Sequence, residues 1–276
     1  MSGARNFRLA CDGDLVGNCG GSGPPLILIH GWALDRRMWL PQLRAFRRHF
    51  TTVSYDRRGF GQSSGAPNLD RELDDIDTIV ASLGLGQVAL LGMSQGGRVA
   101  LRYALTRPRA ISALILQGAP YESTPPPPGD PAHLPLREYA ALVAGGRMGE
   151  LHAALRAHPL LDVGTDHPTT RANVLRMIEH YRGADLRVVG ADPPGAFIDL
   201  RESLGSVRVP ALIITGDRET DWLQNAADRL VAALPRAQRA VIRGGGHLIN
   251  MTAARAYNRA VIRWLKAEMS GVSPET

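Results

Sequence analysis

A serine, a histidine and several carboxylates stand in this chain where they could carry out acyl transfer. Ser94 lies in Gly92-Met93-Ser94-Gln95-Gly96, between the apolar run Gln87-Val88-Ala89-Leu90-Leu91 and an amphipathic stretch from Gly97 to Thr106. A serine hydroxyl is a poor nucleophile at neutral pH; it needs a general base, and the base needs an orienting acid. Gly-x-Ser-x-Gly between a strand and a helix predicts a sharp turn that lifts the serine Oγ clear of a sheet and aims a helix N-terminus at the reacting centre. Glycines two before and two after the serine remove side chains that such a turn would crush. An ordinary turn serine would leave the strand before it and the helix after it unexplained.

The base and the acid should follow later strands, in the order serine, acid, histidine. Val209-Pro210-Ala211-Leu212-Ile213-Ile214-Thr215-Gly216 reads as a buried strand, followed by Asp217-Arg218-Glu219-Thr220-Asp221. Ala240-Val241-Ile242-Arg243 reads as a shorter strand running into Gly244-Gly245-Gly246-His247. On a glycine-rich loop, His247 could reach the serine without backbone obstruction. An oxyanion would need two backbone N–H groups, one from Gln95 after the nucleophile and one from the loop after the third strand. Pro25-Leu26-Ile27-Leu28-Ile29-His30-Gly31-Trp32 supplies that loop and makes Trp32 the second donor.

With these residues in place, the chain resembles the α/β-hydrolase superfamily along nearly its whole length. His30-Gly31-Trp32 is similar to the family's oxyanion segment. Asp56-Arg57-Arg58-Gly59-Phe60-Gly61-Gln62-Ser63 is similar to its turn after the fourth strand, and Ser94-Gln95-Gly96-Gly97 and Gly246-His247-Leu248 complete the set. The region after His247 is similar to that of enol-lactonases and small carboxylesterases, although Thr252 and Ala254 stand where those proteins usually carry Glu and Pro. The resemblance implies an α/β fold: a mostly parallel eight-stranded sheet, helices on both faces and an inserted helical cap. It also places the acid three residues after the glycine that ends its strand. That position is Glu219, with Asp221 as rival, Asp217 as a turn cap and Glu122 as a remote alternative. His30 resembles a residue that shapes the oxyanion loop, and Asp56 and Arg58 read as turn-holding groups.

Composition narrows the remaining function classes. The chain has 276 residues, 44% hydrophobic and 21% charged, as in ordinary globular proteins. No apolar stretch approaches the roughly 20 residues a spanning helix needs, and the polar N-terminus predicts a cytoplasmic protein. The net charge of +6 rests almost wholly on arginine, since Lys266 is the one lysine. These arginines are scattered, so a mildly basic surface is expected rather than a nucleic-acid site. Cys11 and Cys19 are too few for a disulfide framework and read as reduced thiols. Five of the eight histidines (His133, His152, His158, His167 and His180) fall in one region, but no metal-ligand spacing appears, so they read as surface residues. No metal, no cofactor, no membrane and no nucleic acid are expected.

Strand and helix signals alternate up to the sixth strand, Ile111 to Gln117. Phe7 to Asp12 and Leu15 to Cys19 predict an antiparallel edge; Leu26 to His30, Thr52 to Asp56 and Val88 to Leu91 predict inner strands. Trp39, Leu43, Phe46 and Phe50 recur at helical spacing, as do Leu69, Leu73, Ile76, Val80 and Leu83 before Gly84. The proline run Pro125-Pro126-Pro127-Pro128 breaks the pattern. From there to about Val207 only helical pieces appear: Leu136 to Val143, Met148 to Ala157 and Arg171 to Tyr181. The expected division is a core of residues 1–121 and 207–276 with a cap of 122–206. The closing helix carries Tyr257, Val261, Trp264 and Leu265, and Gly271 to Thr276 is expected to fray.

The expected activity is cofactor-free serine hydrolysis of a small-molecule carboxylic ester or lactone. A C–C bond hydrolase or a perhydrolase would use the same residues. A non-catalytic binding protein on the same fold is the rival from another class. Substrate identity and oligomeric state are open at this stage.

Overall fold

The computed structural model describes residues 4–121, 125–188 and 200–269. Glu122 and the segment from Gly271 to Thr276 therefore lie outside the described residues. Eight strands run in chain order: β1 (Arg5–Cys11), β2 (Gly13–Gly20), β3 (Pro25–Ile29), β4 (Thr51–Tyr55), β5 (Val88–Met93), β6 (Ile111–Gln117), β7 (Ala211–Gly216) and β8 (Ala237–Ile242). They form one sheet in the order β1-β2-β4-β3-β5-β6-β7-β8. β1 and β2 form an antiparallel hairpin, and β2 lies antiparallel to β4. Every later pairing is parallel. Cys11 and Cys19 are free thiols, at opposite ends of this hairpin.

All six residues of β5 and all six of β7 are buried. Parallel strands covered on both faces read as unbroken apolar runs for this reason. Alternate side chains go to opposite faces: Leu26, Leu28, Leu91 and Ile115 join one core, Ile27, Ile29, Leu90 and Leu114 the other. The first face is covered by α1 (Leu40–Phe46) and α10 (Ala254–Met269). The second is covered by α2 (Arg71–Leu83), α3 (Gln95–Thr106) and α8 (Asp221–Ala233). α2 carries Glu72 and Asp74 in its first turn, where the helix dipole favours anions, and ends at Gly84 with φ 64°.

The helix expected from Trp39 to Phe50 divides. Arg36–Trp39 is a 3-10 turn whose N-cap Asp35 accepts from Arg37 N, and Pro41 sits in the first turn of α1. Phe50 lies beyond the helix and is buried against Phe46 by the chain's return toward β4.

Between β6 and β7 the described chain contains no strand. It forms α4 (Leu136–Ala144), α5 (Met148–Ala157), α6 (Pro168–His180) and the short α7 (Arg201–Leu204), with 3-10 turns at Pro159–Leu161 and Asp185–Val188. Tyr139, Leu151, Leu155 and Met177 of this insertion pack into the same core as Leu28 and Leu91, through Trp32, Leu34 and Met38. A four-residue helix, α9 (Ile249–Thr252), follows His247 and was not foreseen. Among the described residues no helix is long and apolar enough to cross a membrane.

Candidate active site

Ser94 sits between β5 and α3 with φ 52° and ψ −118°. Among the described residues only Ala33 and Ser94 are non-glycines with positive φ. Such strain survives where surrounding structure over-determines it. Here the glycines account for it. A Cβ on Gly92 would strike the Gly96 carbonyl, and one on Gly96 would strike the carbonyls of Ile29 and His30. The elbow is closed by Ser94 N donating to Gln117 O at 2.8 Å and Gly97 N donating to Ser94 O at 2.8 Å.

His247 follows β8, and Glu219 follows β7 three residues after Gly216. Gly216 and Gly245 pass so closely that a Cβ on Gly216 would strike the Gly245 carbonyl. Asp217 ties the two loops together by accepting from Gly244 N at 2.9 Å and Gly245 N at 3.3 Å. The result is a hydrogen bond of 2.8 Å between His247 Nδ1 and Glu219 Oε2. Glu219 Oε1 accepts from Thr220 N at 3.0 Å, which fixes the carboxylate plane. Asp221 instead opens α8 as an exposed residue. With Nδ1 engaged, Nε2 is the ring nitrogen left for a proton from the serine. Ser94 and His247 line the same small cavity.

Gln117 connects these groups. Its carbonyl holds Ser94 N, and its side-chain Nε2 donates to His247 O at 3.0 Å and to Asn250 Oδ1 at 3.1 Å. Asn250 joins Gln42, which reaches Asn258 at 3.1 Å, so buried amides brace the histidine loop against α1 and α10. Gly118, with φ 51°, leaves room for the histidine: a Cβ there would lie 2.9 Å from His247 Cε1.

His30 is fully buried and acts on the loops alone. Its Nε2 accepts from Arg57 N at 2.9 Å and its Nδ1 donates to Gly31 O at 2.8 Å. Burial, helped by the Arg57 charge, pushes its pKa down to about 3, so the ring is neutral. Asp56 and Arg58 do not pair with each other. Asp56 accepts from Arg36 N and Gln62 N, both at 2.8 Å, and Arg58 pairs with Asp75.

Gln95 opens α3, where the first N–H groups have no intrahelical acceptor. Its side-chain Oε1 accepts from Arg57 at 2.8 Å, and Arg57 in turn pairs with buried Glu72 at 2.6 Å. Trp32 lies in the loop after β3, just before the strained Ala33. Its indole Nε1 donates to Asp185 Oδ2 at 2.6 Å.

A cavity of about 250 Å³ opens beside Ser94. Leu134, Leu160 and Leu186 from the insertion face Phe60 and Leu69 from the sheet side. Pro125 and Pro126 of the proline run also line it. Among the described residues no cluster of three or more His, Cys, Asp or Glu side chains is placed to hold a metal ion. The surface reading fails for His158. It is 7% exposed and lines the small cavity with Ser94 and His247, because the insertion folds down onto the sheet. Its Nδ1 accepts from Leu160 N and its Nε2 donates to His133 O, and burial pushes its pKa down, so it is a neutral wall.

Sequence reasoning passed over Gln117, Asp185 and His158. Gln117 carried a signal: it is the one amide in its strand, closing the apolar run Ala113 to Leu116. Asp185, in a loop after α6, carried none.

Comparison with known proteins agrees with this architecture. A family model described as the alpha/beta hydrolase fold matches residues 24–157. A RutD protein of Agrobacterium fabrum, to which carbamate hydrolysis is attributed, is 27% identical, with 91% of this chain and 97% of that protein aligned. A thermophilic esterase from Thermogutta terrifontis superposes with a TM-score of 0.80 at 24% identity, over 96% of this chain and 99% of the other. The enol-lactonase of Burkholderia xenovorans gives 0.79 at 20% identity, over 92% and 97%. The chain is therefore an α/β-hydrolase-fold protein, and its distant relatives span several hydrolytic chemistries.

Proposed function

We propose that the protein is a cofactor-free serine hydrolase that cleaves a carboxylic ester or lactone through an acyl-enzyme on Ser94. The observation that carries this reading is the 2.8 Å bond from His247 Nδ1 to Glu219, with Ser94 and His247 on one cavity wall. Ser94 Oγ attacks the carbonyl carbon while His247 Nε2 takes the hydroxyl proton. Glu219 holds the imidazole tautomer and stabilises the imidazolium; Asp221 has no part. The carbonyl oxygen becomes an oxyanion facing the N–H groups of Trp32 and Gln95, each such donor typically contributing about 2.7–4 kcal/mol. The tetrahedral intermediate collapses, the C–O bond to the leaving group breaks, and the alcohol departs with the proton from His247. For a lactone that alcohol stays attached to the acyl chain. Water then attacks the acyl carbon and gives a proton to His247; the second tetrahedral intermediate collapses, the bond to Ser94 Oγ breaks, His247 returns the proton to that oxygen, and the acid is released.

In this reading residues 122–206 form a cap that shapes the substrate pocket over a core of 1–121 and 207–276. The largely apolar cavity suits a small-molecule acyl group of several carbons.

The test is mass spectrometry after treatment with a fluorophosphonate, beside steady-state hydrolysis of p-nitrophenyl acetate through octanoate. The expected result is a single adduct on Ser94 with many turnovers per site. Absence of both adduct and turnover would replace this reading with that of a ligand-binding protein.

A further inference from the structure

The two proposed oxyanion donors are residues whose side chains are anchored from opposite sides of the pocket. Gln95 is held from the core: its amide oxygen is bound by Arg57, itself locked on Glu72 by bonds of 2.6 and 2.8 Å. Trp32 is held from the insertion. Its indole N–H meets Asp185 Oδ2 at 2.6 Å, and Asp185 Oδ1 takes the Tyr181 hydroxyl at 2.6 Å. The indole stacks on Tyr139, with centroids 6.1 Å apart and planes 11° from parallel, and meets Tyr181 edge-on at 5.6 Å. Tyr181 continues to Phe60 at 6.0 Å, and Phe60 packs edge-on against His30 at 5.5 Å. His30 itself binds the Gly31 carbonyl, the peptide that contains Trp32 N.

An indole has one N–H. Once that donor is spent on a fixed carboxylate and the ring is clamped between two phenols, both side-chain torsions are set. Residue 32 then has little freedom to turn its own backbone N–H. The following residue, Ala33, is kept at φ 57°, a strained geometry that needs such outside support. Burial raises the Asp185 carboxyl pKa, and the indole and phenol bonds, which favour the carboxylate form, oppose that rise.

We infer that Asp185 is a positioning residue for the oxyanion hole: it fixes Trp32 from the cap and thereby sets the aim of the Trp32 backbone N–H. This rests on the hydrolase reading above. A wall residue would affect substrate fit alone. A positioning residue should affect the oxyanion and leave ground-state binding of a small ester in place.

The experiment compares wild type, Asp185→Leu, Trp32→Phe and the double variant, with Asp185→Asn as the conservative control. Trp32→Phe keeps an aromatic ring but removes the indole donor and part of the stacking area. Readouts are kcat and KM for p-nitrophenyl acetate and Ki for an aryl trifluoromethyl ketone, whose serine adduct places an oxyanion in the hole. The expected result is a fall in kcat of about tenfold in each single variant, corresponding to ~1.4 kcal/mol, with KM within about twofold. Ki should rise by the same factor as kcat/KM falls, the double variant should be no worse than the worse single, and Asp185→Asn should recover most of the rate. A rise in KM alone, an unchanged Ki, or additive losses in the double variant would each overturn the inference. Wild type with no turnover would instead defeat the hydrolase reading, so the two failures are distinct.

Discussion

Two carboxylates flank the proposed reaction centre, buried Glu219 after β7 and half-buried Asp185 from the insertion between β6 and β7 that is proposed as the cap, and they are held in different ways. Glu219 sits on a tight turn fixed to its strand, and glycines allow the neighbouring loop to press against it. Asp185 sits on a 3-10 turn and is held by two aromatic donors, nearby Tyr181 and distant Trp32. The core places its groups by backbone necessity; the cap places its groups by packing. Substitutions in the core should therefore abolish chemistry, and most substitutions in the cap should change substrate choice.

The largest expected effect is at the proposed nucleophile. Ser94→Ala should lower kcat by about 10⁶ without changing the melting temperature by more than a few degrees; a loss of only a few-fold would remove the core from the chemistry. Glu219→Gln should follow, with kcat down about 10⁴ because the amide favours the wrong tautomer of His247. Its partner control, Asp221→Asn, should stay within about twofold. Gly118→Ala comes next. A Cβ at φ 51° would press on His247, and kcat should drop about tenfold or more, the cost of ~1–2 kcal/mol of left-handed strain appearing at the base. In the cap, Leu160→Ala should leave kcat/KM for the acetate ester nearly intact and lower that for the octanoate ester about tenfold. An equal loss on both esters would erase the contrast between the regions.

The smallest effect near neutrality is one of stability. His30 has its pKa depressed to about 3, whereas in the unfolded chain it would titrate near the ordinary imidazole value of 6.5. Between those values the unfolded chain binds more protons, so stability falls as pH falls through this window. Thermal melts from pH 7 to pH 4 should fall less steeply for His30→Gln than for wild type, even if the variant starts lower.

The same contrast governs what could be read from the residues alone. The inner strands were legible because burial on both faces forces continuous apolar runs, and Ser94 and His247 because their loops demand glycines at set distances. Glu219 and Asp221 could be ranked by their distance from Gly216, but only the packing of two loops brings one of them to His247. Asp185 and His158 had no local mark. Each acquires its partners only when the insertion folds onto the sheet: Asp185 meets Trp32 from the loop after β3, and His158 meets the cavity of Ser94 and His247. The single helix read from Trp39 to Phe50 failed for a related reason: burial of Phe50 is tertiary, and it mimicked a helical period.

Gln117 binds the backbone N–H of Ser94 with its carbonyl and the backbone carbonyl of His247 with its side chain. The proposed nucleophile and base thus share one datum at the end of β6, outside the proposed cap. A lineage could exchange its cap for one of another shape and keep the proton-transfer pair in register. What such an exchange would disturb is the Trp32 anchor, and with it the carbonyl geometry that the site stabilises best. Divergence by cap replacement would then retune which acyl groups react while leaving the proton-transfer apparatus untouched.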